Sequence, residues 1–453
     1  MLKKVVITGC LTLLMLGGLL TGNAWAAGST AAAPPDTGDT AFMLISSALV
    51  LLMTPGLAFF YGGFVRSRNI LNTLMMSFVL MAIVGVTWVV WGYSLSFAPG
   101  LPFIGGLQWL GLNGVGLETT GYLQGSAPAE VVSYAPTIPH QAFMIYQAMF
   151  AIITPALISG AIAERMSFRA YCLFVVLWST FIYTPLAHMV WAKGGFLGLY
   201  GGIGALDFAG GTVVHISSAV SALVAAIVLG PRKNYPDRLS PPHNVPFILL
   251  GAGLLWFGWF GFNAGSALSA GTVATVAFVT TNTSAAAGSL MWLILEATLR
   301  GKPTAVGAVT GAVAGLVGIT PGAGFVTPLA AIFIGLITSF LCFYAVSFKH
   351  KLQVDDALDT YPVHGVGGTI GAILTAFFAT TEVNSGGKDG VLRGNLSELF
   401  VELAAIALAY IIAGVGTWII LKIIAATVGL RVPDQTENQG LDIHEHGEEG
   451  YNL

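Results

Sequence analysis

Apolar residues gather into long runs separated by short polar stretches, and that spacing predicts the architecture. Runs long enough to cross a bilayer, about 20 residues, fall near 42–65, 70–97, 139–163, 170–191, 207–229, 244–263, 272–297, 303–320, 325–347, 360–380 and 397–428. They predict an all-α polytopic membrane protein of eleven transmembrane helices. The last run is long enough to tilt strongly or to project past the bilayer. Ahead of them, residues 1–26 read as a secretory signal peptide: Lys3 and Lys4, an apolar stretch over 5–20, and the small-x-small site Ala24-Trp25-Ala26. A retained first helix is the alternative. A lipoprotein signal at Cys10 is disfavoured by the few apolar residues before it. A cleaved signal leaves the mature N-terminus outside the cytoplasm.

The positive-inside rule tests the span count. With the N-terminus outside, the inner loops and tail hold Arg66, Arg68, Arg165, Arg169, Arg232, Lys233, Arg238, Arg300, Lys302, Lys349, Lys351, Lys422 and Arg431. The outer segments hold only Lys193, Lys388 and Arg393. A wrong number of spans would scramble this asymmetry. An odd number puts the C-terminus inside, so the chain is expected in the inner (plasma) membrane with a cytoplasmic tail over 429–453, after a transmembrane domain over 27–428.

Composition narrows the class. Of 453 residues, 55% are hydrophobic and 9% charged, where a soluble domain carries charge on about a quarter. Such a chain cannot cover a water-facing surface, and its natural partner is membrane lipid. A net charge of −3 without a basic stripe argues against nucleic-acid binding. The 58 glycines suit tightly packed membrane helices. The three cysteines form neither a disulfide framework nor a zinc pattern.

Eleven is five plus five plus one. A second copy of a five-span unit lies upside down, and the sequence carries a trace of such inverted repeats. The fifth run begins Asp207-Phe-Ala-Gly-Gly-Thr-Val-Val-His215, and the tenth begins Asp356-Ala-Leu-Asp-Thr-Tyr-Pro-Val-His364. Each sets Asp eight residues before His. Inverted repeats are a transporter device whose site lies near the midplane.

Ionisable groups inside lipid are expensive and usually face a cavity. One intramembrane histidine reads most simply as a structural hydrogen bonder, whereas two at equivalent repeat positions point to function. A neutral pair can share one proton between ring nitrogens and offer hydrogen bonds in a dry passage without a permanent charge. Zinc would need three or four ligands, and no His-Glu-x-x-His is present, so neither metal nor cofactor is expected. The tail's His444-Glu445-His446 is read as solvated. Asp207 reads as a helix cap or as a direct cation ligand, with Asp356 its counterpart near the cytoplasmic face. Most aromatic residues belong to packing. Three stretches nonetheless place Phe150, Trp191 and Ser266 where they can meet at an outer vestibule, with Trp259 and Phe262 near Ser266. Aromatic faces with a hydroxyl acceptor suit a small cation, at roughly 0.5–2 kcal/mol per cation–π contact.

At these residues the sequence closely resembles the ammonium transporter (Amt/Mep/Rh) family, in particular its bacterial AmtB-type members. The resemblance rests on the string from Asp207 to His215, on Pro55-Gly-Leu-Ala-Phe-Phe-Tyr-Gly-Gly63, on Gly261-Phe-Asn-Ala-Gly-Ser266, and on Asp355-Asp356 through His364-Gly365. The tail pieces Gly429-Leu-Arg-Val432, Gly440-Leu-Asp442 and His446-Gly-Glu448 are also similar. The match runs in order from about residue 40 to the end. It implies a right-handed eleven-helix bundle assembled as a homotrimer with one pore per subunit. It implies ammonium recruitment by Phe150, Trp191 and Ser266 with Trp259 nearby, a stacked gate of Phe150 and Phe262, and a pore lined by His215 and His364. Asp207 would support the recruitment site without touching substrate. Trp191 favours the Amt branch, and the tail implies regulation by a cytoplasmic PII signal protein.

A charged ion in a hydrocarbon-lined pore faces a large desolvation cost that neutral ammonia does not. The vestibule is therefore expected to concentrate ammonium, a proton to leave near the gate, and ammonia to pass the histidines. Current per substrate carried distinguishes an electrogenic transporter from a channel. The rivals are another secondary transporter, separated by cavity size and methylammonium competition, and an intramembrane enzyme, which needs a nucleophile–base pair that is not seen. A sensor without flux would normally carry a signalling domain longer than this tail.

Overall fold

In lipid every backbone polar group needs an internal partner, so uninterrupted apolar runs must become helices. The computed structural model describes residues 34–119, 122–124, 130–132, 134–233, 235–237 and 240–451; the expected signal peptide over 1–26 lies outside them. Eleven helices coincide with the eleven runs: α1 Thr37–Phe64, α2 Ser67–Phe97, α3 His140–Ile162, α4 Phe168–Trp191, α5 Gly211–Leu229, α6 Val245–Ala267, α7 Thr272–Arg300, α8 Ala305–Ile319, α9 Pro328–Lys351, α10 over 361–378, and α11 Ser397–Thr427. Among the described residues, all but α8 and α10 are long and apolar enough to cross a membrane by themselves. These nine and the two shorter helices are consistent with eleven crossings.

Polar side chains mark where the helices begin. Asp36 accepts the Asp39 N–H at 2.8 Å before α1, Asn244 accepts the Phe247 N–H at 3.0 Å before α6, and Thr304 accepts the Gly307 N–H at 2.8 Å before α8. Between α2 and α3, two short antiparallel hairpins form, β1 Gly100–Leu101 with β2 Ile104–Gly105 and β3 Tyr122–Gln124 with β4 Glu130–Val132. They define the hairpin end of the bundle; the tail defines the other. α3 is buried along nearly its whole length and forms the axis. α1 lies along α6, joining the two five-helix halves. Their contact is close because Gly251 carries no side chain: a Cβ there would sit 2.2 Å from the Phe60 backbone nitrogen. Small residues at such crossings supply the packing that the hydrophobic effect cannot supply in lipid.

The tail is docked rather than solvated. Its short helix α12 Asp434–Gln439 leads into a turn whose carboxylates cap two membrane helices. Asp442 accepts the N–H groups of Leu71 and Asn72 at 3.0 and 2.9 Å, and Glu445 accepts the Phe168 N–H at 2.8 Å. The His446 ring packs edge-on against Phe168 at 4.7 Å. Helix N-termini present unpaired donors and positive dipole ends, and an acidic tail satisfies both. Only His444 of the His-Glu-His stretch is exposed.

The basic loop residues Arg66, Arg165 and Arg232 at this end are equally engaged. Glu164 bridges Arg66 at 2.8 Å and Arg232 at 3.1 Å, and Arg232 reaches Asp355 at 2.8 Å. Burial pushes the Glu164 carboxyl up, but the two guanidinium groups outweigh it and hold the pKa down at about 2. Asp355 is likewise lowered against its burial, by Arg232. Arg165 is fully buried and donates to the carbonyls of Gly230, Ala163 and Asp355; desolvation lowers its pKa to about 10.

Candidate functional site

The fifth apolar run starts at 207, but α5 starts at 211, because Asp207 is spent on a cap. Its Oδ1 accepts the N–H groups of Gly210 and Gly211 at 2.8 and 2.6 Å, and its Oδ2 those of Thr212 and Val213 at 2.9 and 3.0 Å. One carboxylate thus satisfies four donors that a helix start leaves unpaired. Gly210 takes φ +115°, a conformation that L side chains rarely adopt, which turns the chain into the helix. The first turn of α5 is a wide π-turn over Gly211–Ile216, and His215 stands on it.

The second half repeats the device. Asp356 accepts the N–H groups of Thr360 and Tyr361 at 3.1 and 2.7 Å, a π-turn spans Tyr361–Gly365, and His364 stands on it. Wide turns of this kind insert a residue into a helix and re-aim a side chain. The outcome is that the two histidines meet: their Nδ1 atoms are 3.2 Å apart and their rings are inclined by 22° at 5.3 Å. One ring nitrogen donates to the other. His215 Nε2 has no hydrogen-bond partner among the described residues.

A narrow cavity runs beside the pair. Its walls include Leu57, Ile153, Leu157, Val214 and Val313 with Trp259 and Phe262, and both histidines contribute to the lining. Trp259 is placed deeper than sequence suggests. It is buried, its ring lies against His215 at 5.4 Å and 19°, and its indole N–H donates to Thr320 Oγ1 at 3.0 Å. Trp259 is a neighbour of the histidines.

Toward the hairpin end the cavity is closed by Phe150 on α3 and Phe262 on α6, with ring centres 4.3 Å apart. Trp191, at the end of α4, meets Phe150 edge-on at 5.7 Å. Its indole N–H donates to the Asp207 carbonyl at 2.9 Å, which fixes the plane of the ring. Ser266 lies on the final turn of α6 and donates to the Phe262 carbonyl at 2.9 Å, so its oxygen can still accept a hydrogen bond. Asp207 itself is turned to backbone donors. It shapes the site through α5 and through the carbonyl under Trp191.

Tyr146 escaped the sequence reading. Its hydroxyl lies 2.8 Å from the Phe262 carbonyl oxygen, 2.9 Å from that of Gly261, and 3.2 Å from Ser266 Oγ. It pins the end of α6 to α3, and therefore Phe262 to Phe150. Its position one turn before Phe150 on the same helix was the available signal. The arrangement provides aromatic faces and a hydroxyl at one end, two stacked rings as a closure, and an apolar channel whose polar groups are two neutral-capable imidazoles.

Residues 41–451 match the family model described as Ammonium Transporter Family. The chain is 52% identical to an ammonium transporter of Bacillus subtilis over 91% of its length and 98% of that relative. It is 43% identical to ammonium transporter Amt1 of Archaeoglobus fulgidus, over 91% and 99% of the two chains. Among solved structures it resembles Saccharomyces cerevisiae Mep2, with a TM-score of 0.81, 35% identity, and 91% and 92% coverage. It also resembles a protein named Sensor Amt Protein, with a TM-score of 0.79, 28% identity, and 90% and 98% coverage.

Proposed function

The chain belongs to the ammonium transporter family, and on that premise we propose that it recruits ammonium at the Phe150–Trp191–Ser266 end, deprotonates it and passes ammonia along the histidine-lined channel. The observation that carries this reading is the contact of His215 and His364 inside an apolar cavity, closed on one side by the Phe150–Phe262 stack.

The physics runs in sequence. A cation above Phe150 gains the ring faces of Phe150 and Trp191 and a lone pair of Ser266, each ring contact contributing roughly 0.5–2 kcal/mol. It cannot take its charge further, because apolar walls do not replace its water. Giving a proton to water at that outer end leaves a neutral solute small enough to pass the gate. Below it, imidazole nitrogens supply hydrogen bonds at low desolvation cost. Potassium has no proton to lose and stays behind.

In this reading the hairpin end faces out and the docked tail faces the cytoplasm of a cell whose plasma membrane holds the protein. The chain assembles as a homotrimer after removal of residues 1–26. The tail, held through Asp442 and Glu445 on the helices that it caps, is the natural place for a PII signal protein to act. Protein purified and reconstituted into liposomes is expected to take up labelled methylammonium saturably, with ammonium competing. Absence of saturable uptake by well-folded protein overturns the proposal.

A further inference from the structure

Two carboxylates lie where a membrane helix should not carry them. Glu398 and Glu402 stand one turn apart near the start of α11, and both are almost completely buried. The same stretch of helix turns Phe400 and Leu403 outward. Buried intramembrane charge is costly and calls for a partner. The partners here are Lys388 and one short segment, 204–206, immediately before Asp207. The Glu402 carboxylate accepts the Leu206 N–H. Lys388 lies 3.8 Å from Glu398 and donates to the Gly204 carbonyl at 3.0 Å. The far side of the segment is tied by the Ala205 N–H to the Leu197 carbonyl at 2.9 Å.

The next residue along has two tasks already described. The Asp207 carbonyl receives the Trp191 indole, and its carboxylate starts the turn that bears His215. A shift of Leu206 is a shift of Asp207. We infer that Glu402 is a positioning residue for the recruitment site: its carboxylate holds Leu206 so that the Asp207 carbonyl stays against the Trp191 indole. The Glu398–Lys388 pair holds the other end of the same segment. Glu402 touches neither the cavity nor the gate, and the four N–H groups on the Asp207 carboxylate hold the His215 turn without it, so its effect falls on the carbonyl under Trp191 and on capture of the cation rather than on passage.

This inference rests on the recruitment role of Trp191 proposed above, and the test separates the two. Methylammonium uptake is measured on reconstituted protein for wild type, Glu402→Leu, Glu402→Gln and Trp191→Leu, normalised to folded protein. Leucine fills the space but accepts no hydrogen bond. Glu402→Leu is expected to raise the half-saturating concentration about fivefold, the scale of one lost hydrogen bond, with the maximal rate within about twofold of wild type on the same scale. Glutamine keeps an acceptor oxygen for Leu206 and is expected to restore near-normal half-saturation. An unchanged half-saturation in Glu402→Leu, a fall in maximal rate alone, or a glutamine variant as impaired as leucine overturns the inference. If Glu402→Leu does not fold, Lys388→Met carries the test, with a smaller rise in half-saturation expected and no change overturning the latch. Should Trp191→Leu itself leave half-saturation unchanged, the recruitment reading fails; should it raise half-saturation while Glu402→Leu does not, only the role of Glu402 falls.

Discussion

Replacing Asp207 by asparagine tests the link between the cap and the pore. The carboxylate holds four N–H groups, two on each oxygen, at 2.6 to 3.0 Å. Asparagine offers one oxygen and turns an NH2 toward the other two donors. Two charge-assisted hydrogen bonds are lost, each contributing about 1.5–3 kcal/mol, for a total of about 3–6 kcal/mol. Spread over a chain of this length, that lowers the melting midpoint by about 3–6 °C. Among the described residues Asp356 holds two donors, one on each oxygen, so Asp356→Asn loses one bond and about half as much stability. The assay is tryptophan fluorescence during thermal unfolding of purified protein in detergent, paired with methylammonium uptake in liposomes. Asp207→Asn is expected to melt lowest and to lose uptake, because the turn that carries His215 is no longer fixed. An Asp207→Asn midpoint within about 1 °C of wild type, or a larger loss for Asp356→Asn, contradicts the four-donor cap.

Three further outcomes follow from other contacts. Glu164 has its folded pKa lowered from 4.5 to about 2 by Arg66 and Arg232, so it contributes stability above about pH 4.5 that is lost as pH falls toward 2, on the order of 3 kcal/mol in full. The melting gap between wild type and Glu164→Gln is therefore expected to be constant near neutral pH and to shrink on acidification; a widening gap contradicts the bridge. Phe262→Ala removes the ring 4.3 Å from Phe150 and is expected to admit potassium, read as a potassium current across liposomes, whereas intact exclusion contradicts the gate. Asp442→Asn keeps one of two acceptors for Leu71 and Asn72 and is expected to speed hydrogen exchange of the tail and of the start of α2, with unchanged exchange contradicting the docked cap.

The helices were legible because lipid allows little else: a long apolar run has one stable solution. The histidine pair was legible through repetition, since an Asp eight residues before a His recurs at 207–215 and 356–364. What converts that spacing into contact is a pair of π-turns, and nothing in residue type announces them. The depth of Trp259 was hidden for a related reason, because on α6 only packing tells which face meets His215. Arg165 read as a loop charge, yet it is buried on three carbonyls that come together only when the loops assemble. The tail read as polar and solvated because its acidic residues find their partners, the open starts of α2 and α4, more than two hundred residues away in the chain.

On the proposed function, a neutral solute passes two touching imidazoles in a channel that charge cannot enter. The direct measurement compares wild type with the His215→Ala, His364→Ala double variant in liposomes, following methylammonium uptake and potassium flux together. Wild type is expected to show saturable uptake and no potassium flux, and the variant to lose one or both. Saturable, potassium-excluding uptake in the double variant contradicts a role for the histidine pair in passage.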